Sequence, residues 1–207
     1  ERIFERLKSE CPPDAPYAKM ERFPTLSSIE YLCMDMKRPC FSPGSVALLD
    51  ACNVLGYVES VNDRLDIVQN LWSLVQVGGW MRLVSPSLES IFEQMVVQKT
   101  PGHGFEIVYV SLTGKTVPAG QSPEDRFADG QRITKAVQAL RTSPLDVETL
   151  VTEEERAVLD DLRHLSPLRF GAGVIDGYRM LPGRLTAPYE VYAKEVRDLL
   201  FSLESKL

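Results

Sequence analysis

The chain has 207 residues, of which 44% are hydrophobic and 25% charged, and its formal net charge is −6. These values are typical of a globular protein that is large enough to bury a core without disulfides or metals. No apolar run approaches the ~20 residues of a membrane span, so no membrane association is expected. The net negative charge disfavours a protein that binds nucleic acid through a basic surface, and no DNA partner is predicted.

The first residue of the chain and its cysteines bear on the cellular compartment of the protein. No secretory leader is visible, and the first residue is Glu rather than Met, which predicts a processed chain or part of a longer one. Four cysteines at irregular gaps, without a C-x-x-C pair, predict no metal site: Cys11, Cys33, Cys40 and Cys52. Free thiols in a reducing intracellular compartment, mitochondrial or cytoplasmic, are expected instead, since a buried cysteine acts as a small hydrophobe.

The first part of the chain predicts a helix, a linker and two strands. Ile3, Phe4 and Leu7 have helical spacing, and "CPPDAP" stops that helix because proline fixes φ and removes a donor. Residues 27–36, "SSIEYLCMDM", alternate loosely and predict a strand. Residues 46–58, "VALLDACNVLGYV", open as a near-continuous apolar run, which is typical of a strand buried on both faces of a parallel sheet.

The next segment predicts the clearest helix. Ser60 and Asp63 have the spacing of a capping box, and an apolar stripe at intervals of three and four residues follows as far as residue 75. The pair Gly78-Gly79 is predicted to end the helix, because glycine tolerates the left-handed cap conformation. "WMRLVS", which starts at Trp80, then predicts a strand. Strand, helix and strand together predict a right-handed parallel βαβ unit.

Further elements are predicted downstream from periodicity and composition. A helix is predicted at 88–97, a turn at 100–104 and a strand at Phe105–Leu112. Beyond Pro123 the chain is strongly charged and predicts helices at 126–141, 152–164 and 189–203, with an irregular Gly/Pro-rich segment between the last two.

The stretch "ALLDACNVLGYVES…RLDIVQNLWSLVQVGGWMRLVSPS" resembles the second half of a class I S-adenosylmethionine-dependent methyltransferase. Members of that family have a buried strand with an acidic residue, a helix, a glycine turn and another strand. Asp50 and Asn53 match the first strand and its exit, and Gly78-Gly79 match the turn. The helix segment "VQNLWSL" also resembles mitochondrial small-ribosomal-subunit methyltransferase-like assembly factors. The resemblance covers about residues 29–112.

This resemblance implies an α/β fold, namely a Rossmann-like methyltransferase sheet that is incomplete at its N-terminus, with a helical C-terminal extension. Its segments would be an N-terminal helix and linker at 1–26, a methyltransferase-like core at 27–122 and a mainly helical extension at 123–207. The family binds its cofactor on a glycine-rich loop, where the backbone approaches the ligand closely. That loop is missing here, because the first glycine of the chain is Gly44.

The resemblance also implies four binding residues for S-adenosylmethionine. Asp35 would be the adenine-side acid, and Asp50 and Asn53 would line the crevice at the carboxyl ends of the strands. Gly56 and Asn53 would approach the methionine end and the substrate. The residues themselves leave other interpretations open, because Asp35 could be a turn acid beside Lys37 and Asn53 could cap the turn after a buried strand. No catalytic residue is assigned.

Three functions remain open from the sequence. The first is a catalytically impaired methyltransferase-like protein that acts as a scaffold or assembly factor in a large complex such as the mitochondrial ribosome, with ribosomal RNA or ribosomal proteins as partners. The alternative is an active S-adenosylmethionine-dependent methyltransferase, with an RNA or protein substrate, whose cofactor loop lies outside this chain. The third is an α/β domain of unrelated activity, for which no G-x-S-x-G, P-loop or G-x-G-x-x-G motif is present.

Overall fold

The protein has an α/β fold, as predicted, and a computed structural model describes residues 35–84, 91–112, 120–142, 152–172 and 189–204. Residues 35–207 belong to one compact unit. Its elements in chain order are β1 (Val46–Cys52), α1 (Val61–Leu74), β2 (Val75–Val84), β3 (Phe92–Lys99), β4 (Phe105–Leu112), α2 (Pro123–Thr142), α3 (Glu153–Arg163), α4 (Pro167–Ala172) and α5 (Tyr189–Glu204).

The sheet is open and mixed, with the strand order β1-β2-β3-β4. β1 and β2 are parallel neighbours, in which Leu49 lies opposite Met81 and Ala51 lies opposite Leu83. Because α1 connects these two strands, the predicted parallel βαβ unit is confirmed. β3 runs antiparallel to β2, and β4 runs antiparallel to β3. The sheet therefore continues from its parallel pair as an antiparallel meander.

Helix α1 begins where the sequence predicts and ends earlier than predicted. Its N-cap is Ser60, whose hydroxyl accepts a hydrogen bond from the backbone N–H of Asp63 at 3.3 Å. The helix ends at Leu74, and β2 begins at the next residue, Val75. Its buried side chains recur at helical spacing and belong to the hydrophobic core: Ile67, Val68, Leu71 and Leu74.

The glycine pair lies inside β2, so the predicted helix-ending turn is wrong. The register between β1 and β2 is interrupted between the pairs made by Val75 and Trp80, and β2 bulges there. Gly78 has a φ of +80°, which favours glycine. A Cβ on Gly79 would lie 2.8 Å from the carbonyl oxygen of Ala47. Both glycines are therefore needed by the bulge and not by the helix.

The helix predicted at 88–97 is also wrong, because β3 occupies Phe92–Lys99. The register of β3 against β4 shifts between Phe92 and Gln94. As a result Phe92 and Met95 are both buried although they are three residues apart. A strand with a bulge thus shows the three-residue apolar spacing that otherwise indicates a helix.

The remaining predictions downstream are mostly confirmed. β4 has the predicted bounds, and α2, α3 and α5 match the three predicted charged helices. Helix α3 has a full capping box between Thr152 and Glu155, and it ends at His164. The segment predicted to be irregular contains the short helix α4. Residues 1–34 lie outside the described residues, and with them the predicted first helix and most of the strand predicted at 27–36.

The helices after Pro123 share one hydrophobic core with the sheet. Each contributes a fully or almost fully buried side chain to it: Val137 from α2, Leu162 from α3, Phe170 from α4 and Leu200 from α5. The predicted boundary at residue 122 therefore does not correspond to a break in packing. These charged helices pack against the sheet because their charges alternate with apolar residues at helical spacing.

Helix α2 covers the outer edge of β4. The hydroxyl of Thr134, whose residue is 5% exposed, accepts a hydrogen bond from the backbone N–H of Val110 at 2.9 Å. The Gln138 side-chain amide donates to the carbonyl oxygen of Ile107 at 2.7 Å. These bonds satisfy backbone groups that an edge strand otherwise leaves open to pairing with another chain.

The described part of the chain can also be compared with two expectations from composition, on membrane spans and on cysteines. None of its helices is both long and apolar enough to cross a lipid bilayer. Cys40 and Cys52 form no disulfide within the described residues, and both are exposed, so neither acts as a buried small hydrophobe.

Replacing Gly171 with alanine is expected to lower the free energy of unfolding by about 1–3 kcal/mol. A Cβ at this buried position of α4 would overlap Cγ2 of Val68 on α1 and lie 3.0 Å from its Cβ. Alanine's higher helix propensity offsets at most about 1 kcal/mol of this cost. Urea denaturation measures the change. Adding Val68→Ala should recover part of the loss, and simple additivity of the two substitutions would contradict the close contact.

Candidate functional site

Three of the four predicted cofactor residues lie at the carboxyl end of β1. Asp50 is on the strand, Asn53 follows its last residue, and Gly56 is in a short 3-10 helix at Leu55–Tyr57. Asn53 has a φ of +61°, a left-handed conformation that asparagine tolerates better than most residues. Its backbone N–H donates to the carbonyl oxygen of Val84 on β2 at 3.0 Å. Asn53 therefore reverses the chain at the end of the strand.

The turn that follows β1, residues 53–58, is anchored by Leu55 and is otherwise open to solvent. Leu55 is 3% exposed, whereas Tyr57 is 88% exposed and does not belong to the core. The N–H of Val58 donates to the carbonyl oxygen of Leu55 at 3.2 Å and closes the 3-10 helix. Gly56 is the only glycine in this turn.

Asp50 points to the outer face of the sheet, away from α1. It alternates along β1 with Ala51, which is buried on the inner face. An Asp50 carboxylate oxygen lies 2.9 Å from a guanidinium nitrogen of Arg82 on β2, and Arg82 also donates to the Gln94 side chain at 3.3 Å. Both charged side chains of the pair are more than one-third exposed, so the pair contributes at most about 1 kcal/mol.

Asp35 is a turn acid, which is the alternative that the sequence left open. Its carboxylate accepts a hydrogen bond from the backbone N–H of Lys37 at 2.9 Å. The turn is tied to α1, because Lys37 Nζ lies 2.8 Å from Asp63 and the Asn70 side-chain amide donates to the Lys37 carbonyl at 2.8 Å. The bond to Asp63 raises the pKa of Lys37. Asp35 thus lies beside α1, and the fold does not bring it together with Asp50 on the outer face.

At the end of β1, two groups that could form part of a cradle for S-adenosylmethionine have partners on β2. Such a cradle needs backbone N–H groups that point at the ligand. Here the N–H of Asn53 and the carboxylate of Asp50 both bind β2. Within the same described ranges, no group of three or more His, Cys, Asp or Glu side chains is arranged to hold a metal ion.

A second site, which the sequence did not reveal, is a cleft between β3, β4, α2 and α5 with a volume of about 150 Å³. Tyr109 of β4 forms one wall, and its hydroxyl fits against Gly130 of α2, where any side chain would collide with it. Its ring stacks on Phe127, with the centroids 5.5 Å apart. Burial raises the pKa of Tyr109, the Glu93 carboxylate raises it further, and a hydrogen bond with Ser111 opposes both effects.

An ion pair between α2 and α5 borders this cleft. An Arg197 guanidinium nitrogen lies 2.6 Å from an Asp129 carboxylate oxygen, with the two side chains 15% and 17% exposed. The Gln121 side-chain amide also donates to Asp129, at 3.3 Å. Arg126, one turn before Gly130, lines the same space. Helical spacing of residues 126, 130 and 133 was the available sequence signal, but it does not identify the strand that they face.

Comparison with known proteins assigns no family to this chain. No protein family, no curated protein and no solved structure matches it. Any function assigned to the chain therefore has to come from its own residues and their geometry.

Proposed function

We propose that this chain is a methyltransferase-like α/β protein that acts without catalysis, as a scaffold or assembly factor in a large complex such as the mitochondrial ribosome. The observation that carries this proposal is at the end of β1. The Asn53 N–H and the Asp50 carboxylate, which the resemblance would place against the cofactor, are both engaged with β2. The parallel βαβ unit supports the likeness to the family fold, while the engaged groups favour a protein that does not bind the methyl donor.

The outer face of the sheet supports a binding role. Leu48 and Trp80 are register partners on β1 and β2, and they are 68% and 38% exposed. Exposed apolar side chains next to one another are typical of interaction sites, and tryptophan is enriched among residues that dominate binding energy. Because the chain carries a net charge of −6, a basic ribosomal protein is a better partner than ribosomal RNA.

Co-sedimentation with ribosomal particles tests the scaffold proposal. We expect the chain to travel with a particle fraction of a mitochondrial extract on a sucrose gradient. Leu48→Glu should weaken this association, because it places a charge in the outer face. Leu168→Glu is the matched control, since Leu168 is an exposed leucine of α4, outside the sheet face. A chain found only at the top of the gradient, or equal loss with both variants, would contradict the proposal.

Calorimetric titration with S-adenosylmethionine tests whether this chain by itself binds the methyl donor. We expect no heat of binding at about millimolar ligand. At that concentration, even a complex with a binding free energy of only about −4 kcal/mol is detected. Binding that Asp50→Ala abolishes would favour the alternative, an active methyltransferase acting on RNA or protein whose cofactor loop lies outside this chain.

A further inference from the structure

The cleft between β3, β4, α2 and α5 has room for a small molecule. Its volume of about 150 Å³ is well above the space that a single water needs. Part of its lining is apolar, from Leu112 and Ile133, and part is polar, from Ser111 and the Tyr109 hydroxyl. A concave space with a few convergent polar groups is the usual form of a small-molecule site.

Two opposite charges line this cleft without meeting each other. Arg126 comes from α2 and Glu93 from β3. In the ranges that the structure describes, neither the guanidinium of Arg126 nor the carboxylate of Glu93 belongs to an ion pair. The third and fourth charges at the cleft, Arg197 and Asp129, already neutralise each other at 2.6 Å. The cleft therefore offers one unpaired cation and one unpaired anion.

Glu93, Tyr109 and Arg126 all line the cleft. The charge of the Glu93 carboxylate raises the pKa of Tyr109. That hydroxyl contacts Gly130, which is one helical turn after Arg126. Glu93 and Arg126 thus flank the same tyrosine, from the strand side and from the helix side.

We propose that this cleft binds a free α-amino acid with a short apolar side chain. The ligand carboxylate would pair with Arg126, whose planar guanidinium suits bidentate recognition of a carboxylate. The ligand ammonium would pair with Glu93, and the side chain would rest on the ring of Tyr109 and on Leu112. A phosphate fits less well, because Glu93 would repel a doubly charged anion. This site is separate from the end of β1, so the inference does not depend on the proposed scaffold function.

Titration of the full chain with three related probes tests this inference. The probes are L-valine, N-acetyl-L-valine, which lacks the ammonium, and L-valinamide, which lacks the carboxylate. We expect L-valine to bind about 10- to 100-fold more tightly than either analogue, as each loses one charge-assisted contact. Equal binding of the three probes, or no binding of L-valine at about 10 mM, would overturn the proposal.

Two conservative variants assign each charge to its residue. Glu93→Gln should remove the preference for L-valine over N-acetyl-L-valine and keep its preference over L-valinamide. Arg126→Gln should do the reverse. Both side chains are exposed, so the fold should tolerate the changes. Glu124→Gln and Lys135→Gln are matched controls on the exposed surface of α2, outside the cleft, and an equal effect of these controls would also overturn the assignment.

Discussion

Replacing Asp129 with alanine is expected to lower the free energy of unfolding by about 3–5 kcal/mol. Asp129 lies 2.6 Å from Arg197 in a largely buried ion pair that joins α2 to α5. Alanine would leave the Arg197 guanidinium buried without its counter-charge, and the Gln121 amide would lose its acceptor. Urea is the denaturant of choice for this measurement, because a guanidinium salt would screen the ion pair.

A double substitution and an exposed pair serve as controls. Asp129→Leu combined with Arg197→Met should recover most of the stability, because no buried charge then lacks a partner. Asp50→Ala breaks the exposed pair with Arg82 and should cost less than about 1 kcal/mol. If Asp129→Ala cost no more than Asp50→Ala, the burial of the Arg197–Asp129 pair would not matter to stability, and the expectation would be wrong.

The elements that could be predicted from sequence are those whose signals are local. The Ser60 cap and the apolar stripe of α1 lie within fifteen consecutive residues, and the apolar alternation of β4 lies within eight. The apolar run that opens at residue 46 likewise predicted a strand beside a parallel neighbour, but the predicted burial on both faces is wrong, because Leu48 is 68% exposed and Ala51 is the one buried residue of β1. In each case the residues that determine the element are also the residues that compose it.

The wrong predictions fall where two strands determine the local geometry together. The pair Gly78-Gly79 indicates a backbone with a left-handed conformation or a close approach to other backbone atoms. Both helix ends and strand bulges have such a backbone. Only the register against β1 decides that it is a bulge. The same holds for β3, whose shifted register against β4 gives its buried residues the spacing of a helix.

The candidate sites show the same limit. Asp50 and Asn53 lie at the end of β1 as the sequence predicts, but the partner of Asp50 is Arg82, which the β1–β2 register selects from 32 residues away. The cleft depends on contacts of still longer range, since Arg197 and Asp129 are 68 residues apart. Neither ion pair can be predicted from the spacing of nearby residues, because charged residues occur throughout these strands and helices.

Replacing Lys99 with methionine is expected to lower the free energy of unfolding by about 2–4 kcal/mol. Lys99 binds the end of α1, where the sequence predicted a glycine cap. This residue of β3 is 8% exposed. Its ammonium donates to the carbonyl oxygen of Trp72 in the last turn of α1, at 3.0 Å, and to that of Val75, the first residue of β2, at 2.7 Å. Methionine keeps the aliphatic stem but removes this donor from both carbonyls, and the Trp72 carbonyl keeps only the backbone N–H of Val75. Urea denaturation at neutral pH measures the loss, and exposed Lys135→Met should change stability by less than about 0.5 kcal/mol.

The pH dependence of this loss separates the hydrogen bonds that Lys99 donates from its charge as the cause. Burial lowers the pKa of Lys99 below its usual value of 10.5. Between the folded pKa and 10.5 the unfolded chain therefore binds more protons than the native chain, and stability from this residue rises with pH. We expect the native chain to gain stability over Lys99→Met as the pH rises from neutral towards about 10.5, because the neutral amine still has N–H groups for both carbonyls. A difference that shrank over this range would mean that the charge itself, rather than the donated hydrogen bonds, stabilises the end of α1.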